Sequence, residues 1–420
     1  MSVRFFAANL ILCLSFFFVS CTDKEEESLP AVEILDLPEA IFQANNSLAV
    51  NRLRSISFGE ADKLGGRKER FKMVHISDSH LSSWSVDNHY KNPINLIHSV
   101  RFANQPALKI NAMVATGDFM GYSTDKKVAM DYMRSFVEYF HKGNYIPSVL
   151  CTGNHDNNYL DDKYVFTRAE LNSLLFSTDP NRGDDRSENY YYLDVPNPQG
   201  GFIRFISLDM IDHPSGKEYD ALHYVYYSQR QITWLGEVAL KKDMTPQHSV
   251  VVLNHIPFEP TSSGGATSYF CDGYYVHTWQ MVPEIIEAFR SRTPIKKIYP
   301  NTLGREDRIH VDFNFEEATG EFVCHMGGHA HVYACFDIKT ISNENPDLVR
   351  QKMILCNNQS PTEIGVVYNR TPRENRTVSS NSFSIYAIDT QEKKVYITFF
   401  GAYLPSDNPT FSEVQSFSYN

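Results

Sequence analysis

The decapeptide Phe71-Lys72-Met73-Val74-His75-Ile76-Ser77-Asp78-Ser79-His80 decides how the rest of the chain is read. Its first six residues form a brief apolar run of the kind that makes a buried strand. The polar turn that follows carries a carboxylate and an imidazole two positions apart. In extended backbone, residues i and i+2 project from one face, so Asp78 and His80 could grip a cation with an oxygen and a nitrogen. By itself the pair says little, because Asp-x-His is common by chance.

The same junction of apolar run and polar turn recurs four times further along. Met113 to Ala115 lead into Thr116-Gly117-Asp118, where glycine permits close backbone approach to a carboxylate. An Asp in that setting also serves as an ordinary helix cap or turn residue. Ile146 to Leu150 lead into Gly153-Asn154-His155-Asp156, whose amide, imidazole and carboxylate offer a ligand, a proton donor and an orienting partner. Val250 to Leu253 lead into Asn254-His255, a histidine that in isolation reads more readily as a core or turn residue than as a ligand. Gly327-Gly328-His329-Ala330-His331 repeats the period-two pair behind two glycines that leave room for a metal.

Phe202 to Leu208 adds another strand-like run, and helix-like spacing covers Pro93 to Phe102, Lys126 to His141, Ser228 to Leu240 and Val282 to Arg290. Strands dominate later, at Glu321 to His325, Val332 to Asp337, Phe383 to Asp389 and Lys394 to Phe400. Two packed sheets covered by helices account for this order. Residues before about Arg70 show no strong period and are expected as a leading strand or irregular arm. Asn301 to Phe315 and Pro361 to Ser382 are polar and are expected as loops. The candidate ligands span positions 78 to 331, so a single domain is expected over 71–420, with the motifs within 71–340 and C-terminal strands in 341–420 completing the sheets.

At 420 residues, 42% hydrophobic and 13% aromatic, the chain can bury a large core. Its formal charge of -11 disfavours nucleic acid as the main partner. Arg4 precedes an apolar run from Phe5 to Val19, too short to span a bilayer comfortably, so residues 1–20 read as a signal peptide. Val19-Ser20-Cys21 resembles the lipobox of bacterial lipoproteins, although Phe18 departs from the usual Leu. A lipid on Cys21 would anchor the exported protein in the outer membrane, facing the periplasm or the cell surface. Residues 21–70 then form an acidic tether and arm, its acidic run lying at Asp23 to Glu27. Of the seven cysteines, Cys151, Cys271, Cys324, Cys335 and Cys356 would remain as chiefly small buried residues. Cys324 and Cys335 flank a possible hairpin and could pair.

In order and content, the five motifs resemble the calcineurin-like metallophosphoesterase family, whose pattern is Asp-x-His, Gly-Asp, Gly-Asn-His-Asp or Glu, His, and Gly-His-x-His. The resemblance implies a four-layer α/β/β/α sandwich of two mixed sheets flanked by helices, with ligands on loops at strand ends. It also implies that Asp78, His80 and His331 hold one divalent metal and Asn154, His255 and His329 another, with Asp118 bridging. Mixed Asp, Asn and His ligation suits manganese, iron or zinc. Hydrolysis of a phosphate ester by a hydroxide bridging the metals follows. His155 would hydrogen-bond the phosphoryl oxygen or protonate the leaving group, its ring oriented by Asp156. The partner is then a small phosphorylated substrate, a phosphodiester ahead of a phosphomonoester or nucleotide pyrophosphate. A lipid-anchored binding protein that kept the fold and lost the chemistry should lack ligands, whereas here every expected position is filled.

The segments 157 to 190, 210 to 227 and 259 to 280 are expected to shape the substrate cleft. Tyr122 is similar to the ligand tyrosine of purple acid phosphatases but lies four residues after the Asp rather than three, and it is not assigned as a ligand. His75, His141, His248 and His325 fall outside the motifs and are expected in core or surface roles. Tyr190, Tyr191 and Tyr192, and Tyr269, Phe270, Tyr274 and Tyr275, are expected as packing residues or loop anchors, the second group also lining the cleft.

Overall fold

β1 (Phe71–Ile76) is buried along its whole length. That is why its apolar run does not alternate: a strand covered on both faces has no solvent side for polar residues. It pairs in parallel with β2 (Ala112–Thr116), which pairs in parallel with β3 (Ser148–Cys151). On its other side β1 meets β12 (Ser382–Asp389) antiparallel, and β13 (Lys394–Gly401) and β14 (Gln415–Ser418) extend the sheet as a meander. A second six-stranded sheet has the order β10 (Ala334–Asp337), β11 (Lys352–Leu355), β9 (Glu321–Gly327), β6 (His248–Leu253), β5 (Phe202–Ser207), β4 (Tyr191–Pro196). Its four inner strands run parallel and its two edge strands antiparallel. β7 (Ile295–Pro300) and β8 (Arg308–Phe313) form a separate hairpin.

This computed structural model describes residues 39–57, 69–81, 94–159, 163–177, 179, 187–215, 225–258, 280–300, 308–338, 351–356, 359, 381–401 and 414–419. The expected signal segment, Cys21, the acidic run, Cys271, Tyr269 to Tyr275 and nearly all of Pro361 to Ser382 lie outside them. No helix among the described residues is long and apolar enough to cross a membrane.

The two sheets meet through Phe71 and Phe205, whose rings are 6.1 Å apart, and through polar ties between their strands. The Leu150 N–H donates to the Tyr191 hydroxyl at 2.9 Å, and Ser207 Oγ donates to the Leu150 carbonyl at 2.6 Å. α1 (Glu39–Ile56) packs on β12 and β13, α2 (Ile94–Ala103) on β1, and α3 (Lys126–His141) on α2 and α4 (Arg168–Leu175). α5 (Gln229–Trp234), continued by a π-helical turn over Leu235–Ala239, packs on β8, and α6 (Met281–Ser291) covers β9. The architecture is the expected mixed α/β one, two mixed sheets flanked by helices.

Several expectations are corrected. The irregular arm before Arg70 contains the helix α1, whose inward face is Phe42, Asn46, Ala49, Leu53 and Ile56. Asn46 and Ala49 interrupt the apolar stripe, so the period is hidden. Asn46 is satisfied by Gln105, its Nδ2 donating at 3.1 Å. The loop expected over Asn301 to Phe315 holds β8, which alternates, with Ile309, Val311 and Phe313 buried. Cys324 and Cys335 do not flank a hairpin: β11 lies between their strands and both cysteines are free thiols.

Candidate metal centre

Parallel register places the motifs together. Ile76, Ala115 and Leu150 lie side by side in the first sheet, and Leu253 lies beside both Ser207 and Met326 in the second. The turns that follow therefore emerge at one edge, beyond the carboxyl ends of the strands. Backbone bonds knit them: the Asp78 N–H donates to the Gly117 carbonyl at 3.0 Å, His80 N–H to the Asp118 carbonyl at 3.0 Å, and Gly328 N–H to the His255 carbonyl at 2.9 Å.

Asp78, His80 and His331 form one cluster of convergent ligand atoms, and Asp118, His255 and His329 form another; His80, Asp118 and His155 form a third that overlaps both. In the first, His331 Nε2 lies 3.1 Å from His80 Nε2 and 3.2 Å from Asp78 Oδ1. In the second, Asp118 Oδ2 lies 3.0 Å from His255 Nε2, and it also faces His80 Nε2 at 3.9 Å. Asn154 joins this side, its Oδ1 3.1 Å from His329 Nδ1. Ligands about 2.0–2.2 Å from a shared metal stand roughly 3 Å from one another, so the donor set fits two metals held side by side.

Both carboxylates are held by a backbone N–H. The His329 N–H forks across Asp78, donating to Oδ2 at 3.0 Å and to Oδ1 at 3.2 Å, while Oδ1 also faces His331 Nε2 at 3.2 Å. The His155 N–H donates to Asp118 Oδ1 at 2.9 Å, leaving Oδ2 toward the centre. Burial opposes ionisation of Asp78, but His255 and His331 outweigh it and hold its pKa well below the usual carboxylate range. Burial also disfavours a charged His255, yet Asp118 and Asp78 raise it to about 9. A cavity that pulls a proton onto a buried histidine is short of positive charge, which a dication supplies.

The period-two argument for these pairs is corrected. Asp78, His80, Asp118, His329 and His331 all have positive φ, between 45° and 66°, so none is extended. Left-handed backbone at non-glycine residues costs about 1–3 kcal/mol each and clusters at functional sites. Here backbone hydrogen bonds hold Asp78, His80, Asp118 and His329 in it. Asp156 likewise does not grip the His155 ring: its carboxylate accepts from the N–H groups of Gly153 at 2.7 Å, Phe119 at 2.7 Å and Asp118 at 3.1 Å. Burial, with Asp118 beside it, pushes Asp156 up to about 7 against those donors. Its place is to lock two motif loops together. The His155 ring instead meets the Tyr159 hydroxyl, 3.3 Å from Nε2, and stacks on Tyr122 at 5.4 Å.

Sequence reading missed three supports. Thr116 presents its carbonyl to His255 Nδ1 at 2.5 Å. Gln359 donates its N–H to the carbonyls of Ser77 and Asp78, each at 3.1 Å, and accepts from Ser79 Oγ at 2.7 Å. Asn158 ties the loop to Ser123, accepting its N–H at 2.8 Å and donating to its carbonyl at 3.0 Å. Only the run Asn157-Asn158 after the third motif hints at such a support. Of the expected cleft wall, 259–279 lies outside the described residues, and parts of 210–227 and 157–190 form a pocket lined by Arg168, Glu188, Asp212, His213 and Tyr226, with none of the candidate ligands in its wall.

A family model described as calcineurin-like phosphoesterase matches residues 71–286. Among solved structures, a dimetal phosphatase from Danio rerio is similar at 14% identity, covering 83% of this chain and 99% of that one with a TM-score of 0.49. PhoD is similar at 9% identity, covering 84% and 70%, with a TM-score of 0.44. Among curated proteins none matches. The family and the Asp/His clusters together point to a dinuclear divalent metal site. With more than half of its length matched and all five motifs gathered at one edge, the chain belongs to the calcineurin-like phosphoesterase family.

Proposed function

We propose that the protein hydrolyses phosphate esters at a dinuclear centre in which Asp78, His80 and His331 hold one divalent ion, Asn154, His255 and His329 hold the other, and Asp118 bridges. The observation that carries this is the position of Asp118 Oδ2, 3.0 Å from His255 Nε2 and 3.9 Å from His80 Nε2, so that one carboxylate oxygen faces both ligand groups. Two such ions supply an acidified water and neutralise phosphoryl oxygens, so no side-chain nucleophile is required. Manganese, iron or zinc suits the mixed oxygen and nitrogen donors.

The chain's own residues do the rest. The His155 side chain is 20% exposed, and its Nε2 lies 3.9 Å from Asp118 Oδ2, within reach of a bound ester. It donates a hydrogen bond to a phosphoryl oxygen or a proton to the leaving group. Tyr122 and Tyr159 hold its ring, and Asp156 holds the loop that carries it. A small phosphodiester is the favoured substrate, ahead of phosphomonoesters and nucleotide pyrophosphates. The reason is the proposed setting: an exported protein, tethered by lipid on Cys21 at the outer membrane, meets nucleotides and lipid head groups. The apolar run before Cys21 supports that location, and residues 71–420 are proposed as the catalytic domain.

The experiment is metal analysis of protein beginning at residue 22, with hydrolysis of an aryl phosphodiester and an aryl phosphomonoester. About two transition-metal equivalents are expected, with activity lost in Asp118→Asn and the diester cleaved faster. Fully loaded protein that leaves both esters intact would favour a binding role. Failure to retain metal under every loading condition would sink the mechanism.

A further inference from the structure

A row of buried side chains runs behind the centre and ends on one of its ligands. The Tyr386 hydroxyl on β12 lies 3.0 Å from His75 Nδ1 on β1, and His75 Nε2 lies 2.7 Å from Thr116 Oγ1 on β2. Thr116 Oγ1 donates to Ser77 Oγ at 3.1 Å, and Ser77 Oγ donates to the Thr116 carbonyl at 2.9 Å. The same carbonyl accepts from His255 Nδ1 at 2.5 Å. Tyr386, His75, Thr116, Ser77 and His255 are all buried from solvent. Isolated buried polar groups would be costly, so a connected set in three adjacent strands calls for a reason.

Counting protons gives the row a direction. Each hydroxyl has one proton, and those of Ser77 and Thr116 go to the Thr116 carbonyl and to Ser77 Oγ. Thr116 Oγ1 must then accept from His75 Nε2–H. Burial keeps His75 neutral, its pKa pushed down to about 3 although Asp78 pulls the other way. A neutral imidazole has one N–H, so Nδ1 accepts from the Tyr386 hydroxyl. A carbonyl cannot donate, so His255 always keeps a proton on Nδ1, and Nε2, 3.0 Å from Asp118 Oδ2, is the nitrogen left to give up its proton to a metal.

We propose that Tyr386 and His75 are positioning residues of the metal centre: through Thr116 they hold the carbonyl that orients His255 and selects the tautomer whose Nε2 can bind metal. The proposal rests on the dinuclear reading above. Groups that orient a ligand imidazole typically change metal affinity by about 10–100-fold without touching the ion.

The test titrates Mn2+ into the full chain and into Tyr386→Phe, Thr116→Val and Thr116→Ser, following stepwise affinities, the metal-free melting temperature and, without metal at a pH above the raised His255 value of about 9, the nitrogen chemical shifts of His255. Tyr386→Phe and Thr116→Val should each weaken one of two binding steps about 10–100-fold, leave the other step and the metal-free melting near wild type, and mix the His255 tautomers. Thr116→Ser, which keeps the hydroxyl, should restore the affinity. Wild-type affinities and a single His255 tautomer in both variants would overturn the proposal, as would weakening of both steps in proportion to lost metal-free stability. Those failures leave the dinuclear site standing. A wild-type chain that binds fewer than two equivalents overturns both.

Discussion

Each site carboxylate is tied by a backbone N–H from another motif while one oxygen, Oδ1 of Asp78 and Oδ2 of Asp118, faces the histidines. The tie on Asp78 comes from His329, and it depends on Gly328 just before it. A Cβ on Gly328 would sit 1.8 Å from Ser77 Oγ and 2.3 Å from Asp78 Oδ2, closer than any real contact. Gly328→Ala is therefore expected to displace Asp78 and weaken metal binding by about 10–100-fold with the fold retained, read by metal titration beside circular dichroism. Gly143→Ala is the control. Its φ of 69° makes the change strained, but nothing lies within 4 Å, so it should cost about 1–2 kcal/mol and leave metal binding alone. Equal metal affinity in the Gly328 variant would show that this glycine does not set the position of Asp78. At this scale the site was legible in the sequence, since all seven expected ligands converge. Their left-handed backbone was not, because φ depends on bonds to distant carbonyls that spacing does not reveal.

Among the elements, strands and helices with an uninterrupted pattern were legible and those with a diluted one were not. β1, α3 and β12 follow their apolar patterns closely. α1 escaped because its inward face includes an asparagine and an alanine, and β11 because four residues carry little period. The packing of α1 is testable. Leu53 is 1% exposed, so Leu53→Ala should destabilise the protein by about 2–5 kcal/mol in urea denaturation while metal stoichiometry is unchanged. A loss below about 0.5 kcal/mol, the range of a surface substitution, would mean that α1 contributes little to the core.

For the whole molecule, buried neutral histidines make stability depend on pH. Burial, reinforced by Arg101, pushes His98 down to about 3. Burial pushes His325 down to about 4, although the bond to Gln351 works against it. Below the unfolded value near 6.5 the unfolded chain binds protons that these folded histidines refuse. The contribution of His98 and His325 to stability should thus be fullest above about pH 7 and fall by about 1.4 kcal/mol per pH unit for each histidine, until pH nears their folded values. Denaturation curves at a series of pH values should show that slope, and His325→Gln should remove about one proton from it. An unchanged slope in the variant would assign the acid sensitivity to other groups.

The sequence by itself determined the family, the seven candidate ligands and the alternation of strand and helix, because these follow from residue type and local order. Only the tertiary structure decided which residues serve those ligands. Thr116, Gln359 and Asn158 act on partners from 35 to about 280 positions away, and Asp156 spends its carboxylate on backbone rather than on its neighbour His155. Such contacts arise where parallel strands from two sheets end side by side. Distances of that kind are set by packing, and linear spacing carries no record of them.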